Sequence, residues 1–532
     1  MIALIRRIGR LILPEDVCLR KRRFELIVWA FLLSLSFDPE GLGFLAWFSL
    51  VRPFMIISSL KGRQAFNASY FFGFLFNLFC IYWISYVTPG GMIAAVAIVA
   101  VYSAISLTLF NKLYHIRPLY GIVAIPLLWV GVEYFRTLSE FAFPWSDLGY
   151  SQAYYLYILQ IVSVVSVHGL SLLIVVVNVL LWQGLRRSLS PERRLASVFS
   201  AIAIVIGLLA YGWIELPARA IPGNIDIALL QPSVPLDVKW GDKAKAENFR
   251  VFDSLVQSVA NDSIALYVWP ETAAPCYLTH DPGCRRGVVD IVRKTKGLHL
   301  VGGIAAKTHG ERYRYFNSCF QVDSAGSFAA RHDKVKLVPF AEHVPYQDYL
   351  PFLEQGALRE YLTFIDRWGI QWWSDYYPGD RRTLFQMPEA TYAVLICFET
   401  AFPEYVRGAI LDGADFVVGI TNDTWWQQSP GIYTHSRIFI SRAVENRCWF
   451  ARCANSGLTY IVDPFGRIHE RLETYEVAAL RGKVRTLDGF SIFTRVGDLA
   501  GLISLLFTLA AASILLGRWV IRKVKPSVSS GN

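Results

Sequence analysis

The chain has 532 residues, a formal net charge of +10 and 54% hydrophobic residues, with a mean hydropathy of +0.37. That length allows more than one domain, and so much apolar sequence excludes a wholly soluble protein. No Gly-rich phosphate loop or nucleic-acid motif accompanies the positive charge, so the charge is assigned to membrane topology and no nucleic-acid partner is expected.

Taken in chain order, basic residues come first: Arg6, Arg7, Arg10, Arg20, Lys21, Arg22 and Arg23 precede Phe24. Seven apolar segments follow, at roughly 24–37, 41–60, 66–87, 91–111, 118–135, 155–185 and 195–214, and an eighth lies at 497–517. The start is superficially like a signal peptide, but no small-residue cleavage site follows and Asp38-Pro39-Glu40 leads straight into the next segment. These segments predict a helical membrane domain over 1–214, a globular domain over 215–496, and a last span with a basic tail over 497–532.

Loop charges set the expected orientation. Lys61 and Arg63, Lys112 and Arg117, then Arg186, Arg187, Arg193 and Arg194 occupy alternate loops. The intervening loops hold a single basic residue, Arg136. The positive-inside rule then places both termini in the cytoplasm and the 215–496 domain outside it. Cys276 and Cys284 are near enough in sequence to bridge there, which the sequence leaves open.

Within the globular segment, strands are expected at 224–231, 264–270, 298–304, 315–322, 392–397, 415–421 and 458–463. Helices are expected at 244–260, 284–295, 403–412 and 432–446. The alternation is that of an α/β domain. The run Ala265-Leu266-Tyr267-Val268 ends in Trp269-Pro270-Glu271, a carboxylate at a strand end. Asp333-Lys334-Val335-Lys336 follows, with Glu342 eight residues beyond Lys334. Aromatic residues then crowd the stretch from Tyr346 to Tyr377, including Trp368, Trp372, Trp373 and Tyr376. In a domain tethered at both ends to a bilayer, such loops are expected to face the membrane and line a lipid entrance, with core packing as the alternative for part of them. Next, Tyr392-Ala393-Val394-Leu395-Ile396 runs into Cys397-Phe398-Glu399-Thr400, and Phe402-Pro403-Glu404 opens a helix. A thiol on such a strand-to-helix elbow stands clear of the sheet near a helix N-terminus, which favours thiolate. A buried cysteine on a strand is ordinarily just a small hydrophobe; the glutamate and lysine segments weigh against that here.

A strand-end glutamate, a lysine and an elbow cysteine in this order resemble the carbon–nitrogen hydrolase (nitrilase) superfamily. The resemblance extends to Phe143-Pro144-Trp145-Ser146-Asp147, Gly169-Leu170-Ser171 with Asn178, Lys239-Trp240, Thr421-Asn422-Asp423-Thr424-Trp425-Trp426, His435, Arg442-Ala443-Val444-Glu445-Asn446, Arg452 and Asn455-Ser456-Gly457. With those motifs the chain is similar, over nearly its whole length, to the apolipoprotein N-acyltransferase family, the membrane-embedded branch of that superfamily. The resemblance implies an α-β-β-α sandwich and a bacterial inner-membrane protein with a periplasmic catalytic domain. It further implies transfer of an acyl chain from a phospholipid to the α-amino group of a diacylglyceryl-modified cysteine on an apolipoprotein, with the bilayer as setting. On this reading Cys397 is the nucleophile of a thioester, Glu271 the general base and Lys334 the oxyanion stabiliser. Lys336 is its near rival. Glu342, Phe398 and Glu399 would support the site and Trp240 would place substrate. Asn422, Asp423, Arg442, Glu445 and Asn455 would be buried polar residues holding those groups in place. No metal or cofactor is implied, and a monomer is expected. Ala341, Phe398, Gln427 and Cys448 depart from residues usual in that family, which bears on substrate preference. A membrane-tethered amidase, in which water resolves the thioester, is the alternative, and a non-catalytic scaffold a third reading.

Overall fold

The computed structural model describes residues 17–38, 41–235, 242–309, 312–347, 349–350 and 376–524. Trp240, most of the aromatic stretch and the end of the basic tail lie outside the described residues. In chain order the helices of the first part are α1 (Val17–Leu35), α2 (Val51–Ser59), α3 (Gly62–Ile81), α4 (Pro89–Ile116), α5 (Pro118–Phe135), α6 (Leu156–Leu159), α7 (Val162–Leu185) and α8 (Pro191–Glu215). Among the described residues, six helices are long and apolar enough to cross a membrane: Gly62–Tyr86, Pro89–Ile116, Pro118–Phe135, Val162–Leu185, Pro191–Glu215 and, at the far end, Leu499–Ile521. The other two expected spans differ in kind. Helix α1 carries Arg20 to Arg23 and Glu25 in its first half, and the 41–60 segment is a 3-10 turn (Gly43–Trp47) followed by the short α2.

Polar side chains compensate the backbone where these apolar helices break. Asn178 of α7 accepts from Leu50 N at 2.8 Å and donates to Ala46 O at 2.8 Å, satisfying the turn before α2. The expected 155–185 span is split into α6 and α7, and α7 is interrupted at Ser166, whose φ is +68°. The backbone N–H freed there, on Val167, donates at 2.7 Å to Glu445 of the α/β domain.

That domain contains two six-stranded sheets. The first has the order β12-β1-β2-β3-β4-β5 and the second β11-β10-β9-β8-β7-β6. Its strands are β1 (Ile225–Gln231), β2 (Leu266–Val268), β3 (Leu298–His309), β4 (Arg312–Val322), β5 (Phe328–Asp333), β6 (Leu384–Met387), β7 (Ala390–Ile396), β8 (Phe416–Thr421), β9 (Trp449–Ala454), β10 (Thr459–Val462), β11 (Ile468–Leu472) and β12 (Ala478–Val484). Its helices are α9 (Asp242–Val259), α10 (Pro282–Val292), α11 (Pro403–Leu411) and α12 (Pro430–Asn446). Two more, α13 (Ile492–Val496) and α14 (Leu499–Val524), lead back to the membrane part.

Side-chain alternation makes the layers. Ile227, Leu229 and Val268 meet Val394, Ile396, Val418 and Ile420 between the sheets. The opposite faces, through Leu230, Tyr267 and Trp269, bury Phe252 of α9 and Ile291 of α10. Ala393, Leu395 and Val417 of the second sheet bury Ile410 of α11 and Phe439 of α12, in one core continuous with Phe76, Trp83, Trp145 and Leu148 of the helical part. Sheets covered on both faces explain why β1, β7 and β8 are nearly unbroken apolar runs.

Candidate active site

Strand directions bring the three chemical residues to one edge. Strands β2 and β3 are parallel, and β4 and β5 reverse direction twice, so β5 runs with β2. Glu271, just beyond β2, and Lys334, just beyond β5, therefore leave the first sheet at the same end. Cys397 leaves the parallel strand β7 of the facing sheet. Carboxyl ends of parallel strands are where α/β sheets build their sites.

Cys397 has φ +51°, a left-handed conformation that non-glycine residues adopt at a cost of about 1–3 kcal/mol. A 3-10 turn, Cys397–Ala401, precedes α11, so the thiol sits on an elbow as expected but with a turn between it and the helix. The expected thiolate does not follow. Burial raises the Cys397 pKa well above that of a free thiol, Glu271 raises it further, and Lys334 and Thr421 only partly oppose them. These surroundings favour the thiol over the thiolate.

Lys334 is 1% exposed. Its ammonium lies 2.9 Å from the Glu342 carboxylate and 3.5 Å from Glu271 Oε1. Burial works against the charged form, but Glu342 and Glu271 outweigh it and hold the Lys334 pKa above its ordinary value. Lys336 points elsewhere, its Nζ 5.3 Å from the centre of the Phe402 ring. Glu271 is fixed by Asn317 Nδ2 donating to Oε1 at 2.7 Å and Asn422 N donating to Oε2 at 2.9 Å. Glu342 accepts from the same Asn317 amide at 3.1 Å and from Val338 N at 2.9 Å. Asn317, in β4, was not singled out from the sequence; a lone amide amid Tyr315, Phe316 and Phe320 is the signal that marks it.

Glu399 is fully buried and already surrounded by donors: Ile396 N at 2.8 Å, Val335 N at 2.7 Å, Lys336 N at 3.4 Å, Tyr405 Oη at 3.0 Å and His332 Nε2 at 3.1 Å. Burial opposes its charge, but His332 and the N–H donors prevail and hold its carboxyl below the ordinary range. A carboxylate so occupied ties the cysteine elbow to the lysine segment; it has no room to relay protons.

The remaining sequence candidates separate into two groups. Asn455 donates to Asn422 Oδ1 at 3.2 Å. Asp423 accepts from Arg452 at 2.5 Å and faces His435 Nδ1 at 3.1 Å, with His435 Nε2 3.3 Å from the Cys397 carbonyl. These lie behind the thiol. Arg442 and Glu445 do not: Arg442 donates to Tyr150 Oη at 2.9 Å and Glu445 accepts from Val167 N, both in the helical part. Phe398 is buried and stacks on Trp145, ring centres 6.0 Å apart. Trp145 also meets Trp426 and His435 at 5.5 and 5.4 Å, so the Phe143-Pro144-Trp145 loop reaches the floor beneath the nucleophile. Of the aromatic stretch, Tyr376 belongs to the site region, its backbone N–H donating to Glu342 O at 2.9 Å. Its phenol pKa is raised by burial and then by Glu342 and Glu271. Among the described residues no group of side chains could hold a metal ion.

A thiol, two carboxylates and a buried ammonium on facing sheets, packed against apolar helices, are the arrangement of a carbon–nitrogen hydrolase-type domain carried by a membrane protein. Residues 226–478 match the carbon–nitrogen hydrolase profile, and residues 29–180 match that of the apolipoprotein N-acyltransferase N-terminal domain. An apolipoprotein N-acyltransferase of Geobacter metallireducens is 31% identical over 505 residues, covering 92% of this chain and 94% of its own. Those of Rickettsia prowazekii (27%, covering 85% and 90%) and Chlorobaculum tepidum (28%, covering 90% and 94%) also align. The crystal structure of an amidase from Nesterenkonia sp. superposes with a TM-score of 0.36 at 18% identity, over 51% of this chain and 93% of that one. The chain belongs to the apolipoprotein N-acyltransferase family.

Proposed function

We propose that this enzyme N-acylates lipoproteins: it moves a fatty acyl chain from a phospholipid to the α-amino group of a diacylglyceryl-cysteine, through a thioester on Cys397. The observation that carries the reading is the ammonium of Lys334, buried between Glu271 and Glu342 and electrostatically coupled to the elbow thiol. In the first half-reaction a Glu271 oxygen takes the thiol proton and the sulfur attacks the ester carbonyl. Lys334 stabilises the resulting oxyanion. Collapse breaks the ester C–O bond, and the lysophospholipid alkoxide leaves with the proton held by Glu271. In the second, the acceptor amine attacks the thioester and gives a proton to Glu271. The C–S bond breaks, the amide forms and the thiol is restored. Glu342 and Asn317 keep Lys334 and Glu271 in register throughout.

The domain division 1–214, 215–496 and 497–532 goes with this reading, as does a catalytic domain in the periplasm and both termini in the cytoplasm. The loop charges support that orientation, and so does the Cys276–Cys284 disulfide, a bond expected outside the reducing cytoplasm. A reporter joined at residue 242 should be active only outside the cytoplasm and one joined after residue 525 only inside. The deciding experiment incubates purified protein with labelled phospholipid and a diacylated lipopeptide. Label on the peptide amine is the expected result; release of free fatty acid alone would make the protein a hydrolase, and no covalent acyl-enzyme would remove the mechanism.

A further inference from the structure

A row of tyrosines runs along the first sheet from the neighbourhood of Glu342. It starts at Tyr376, bridged through its backbone to Tyr315 of β4. Tyr315 meets Tyr277 at 5.0 Å and Tyr313 at 6.5 Å between ring centres, and Tyr313 meets His280 at 5.3 Å. Tyr277 and Tyr313 are 46% and 51% exposed, whereas Tyr376 and Tyr315 are half-buried. Arg314 lies over the Tyr377 ring at 4.6 Å and stiffens the inner end. The row belongs to the first sheet, whose outer core contains, among the described residues, none of the membrane helices; those helices share a core with the second sheet and its helices.

The acceptor's own chemistry asks for such a path. Its diacylglyceryl group stays in the bilayer and its α-amino group must reach Cys397, so the polypeptide that follows has to run from the site toward water. Exposed tyrosines suit that task, since they offer large rigid contact area with a polar tip at low entropic cost. At a strand rise of ~3.3 Å per residue the row accommodates roughly four extended residues.

We propose that the ledge Tyr376–Tyr315–Tyr277–Tyr313 binds the polypeptide that follows the modified cysteine of the acceptor. The proposal rests on the acyl-transfer reading and concerns only its second half-reaction. The test uses the full-length enzyme in detergent–phospholipid micelles and the double variant Tyr277→Ala/Tyr313→Ala, with two acceptors bearing the same lipid: a diacylglyceryl-cysteine dipeptide and a peptide long enough to cross the ledge. The expected result is a KM for the long acceptor raised ~10-fold, the loss typical of truncating a tyrosine anchor, with the KM for the dipeptide and the rate of thioester formation from phospholipid as in wild type. Equal effects on both acceptors, or none on either, would overturn the proposal. Slower thioester formation would overturn it too, by assigning the ledge to the lipid donor. A wild-type enzyme that acylates neither acceptor would bring down the functional reading itself, and the ledge's assignment with it.

Discussion

Two buried ionic clusters in this protein use the same residue types to different ends. Around the thiol, Lys334 sits between Glu271 and Glu342, and Asn317, Asn422 N and Val338 N make further contacts to these carboxylates. At the junction with the membrane helices, Arg442 and Glu445 of α12 pair at 3.1 Å and also bond Tyr150 and Val167 N. The first cluster is drawn from strand ends of two sheets and faces a nucleophile. The second lies on one helix and faces only packed protein. A buried charge is therefore not informative by itself; what it faces is. Isolated buried pairs are weak evidence for stability but costly to break on one side, so the two clusters should fail in different ways when cut.

The largest effect is expected at the thiol. Cys397→Ser and Glu271→Gln should each abolish acyl-enzyme formation in a single-turnover assay with labelled phospholipid, and for Cys397→Ser the thermal midpoint of the protein should stay near wild type. Cys319→Ser, Cys448→Ser and Cys453→Ser should keep activity, because those thiols are buried in the core; an adduct mapped to any of them would displace Cys397. Next comes Lys334→Met, which removes the oxyanion's cation at ~3–4 kcal/mol, a rate loss on the order of 10²–10³ in both half-reactions. Lys336→Met should be far milder, since that ammonium lies against Phe402. A larger loss at Lys336 would mean that the wrong lysine has been placed at the thiol. Third, Arg442→Met should destabilise the protein by about 3–5 kcal/mol above pH 7, where Glu445 is ionised and would be stranded, yet leave the rate per folded molecule close to wild type. A rate loss without a stability loss would move Arg442 into the catalytic cluster and erase the contrast between the two.

Part of the candidate cluster around the thiol was legible in the sequence for a physical reason. Glu271 and Cys397 each follow an apolar run, where a polar group is conspicuous, whereas Lys334 follows the polar Arg331-His332-Asp333 and was marked only by its place in the family motif. Strands without such markers were not legible: β5, β6, β11 and β12 are sheet edges with polar residues breaking their apolar pattern, and the central β9 carries Arg452 within its buried run. The break of α7 at Ser166 was hidden too, because the residues on either side are as apolar as an intact span and the cost of the break is offset by Glu445, 278 residues away along the chain. The same distance concealed the true neighbours of Arg442 and Glu445. A sequence motif shows that buried polar residues have partners, but pairing across domains is settled only by the fold. Thiolate character was likewise overestimated, since an elbow position suggests a helix dipole while burial and Glu271 act the other way.

The smallest predicted effect tests the junction by pH. Burial pushes the Glu445 carboxyl up to about 7 from an ordinary 4.5, against the opposing pull of Arg442 and Val167 N–H. The folded protein thus holds the Glu445 proton more tightly than the unfolded chain does between those two values. The stabilisation is fully present below about pH 4.5 and is lost as pH rises through about 7, amounting to about 3 kcal/mol across the window. The Gln variant, Glu445→Gln, keeps the shape and an oxygen for Val167 N–H but cannot titrate. Subtracting its thermal-stability curve from that of wild type, between pH 4.5 and 8 in the same detergent, should leave a contribution that falls with rising pH. The catalytic cluster should contribute nothing to that difference, because Glu271, Lys334 and Glu342 are present in both proteins. A flat difference curve would show that Glu445 stays ionised at the junction, held there by Arg442, and that the two clusters are more alike electrostatically than their surroundings suggest.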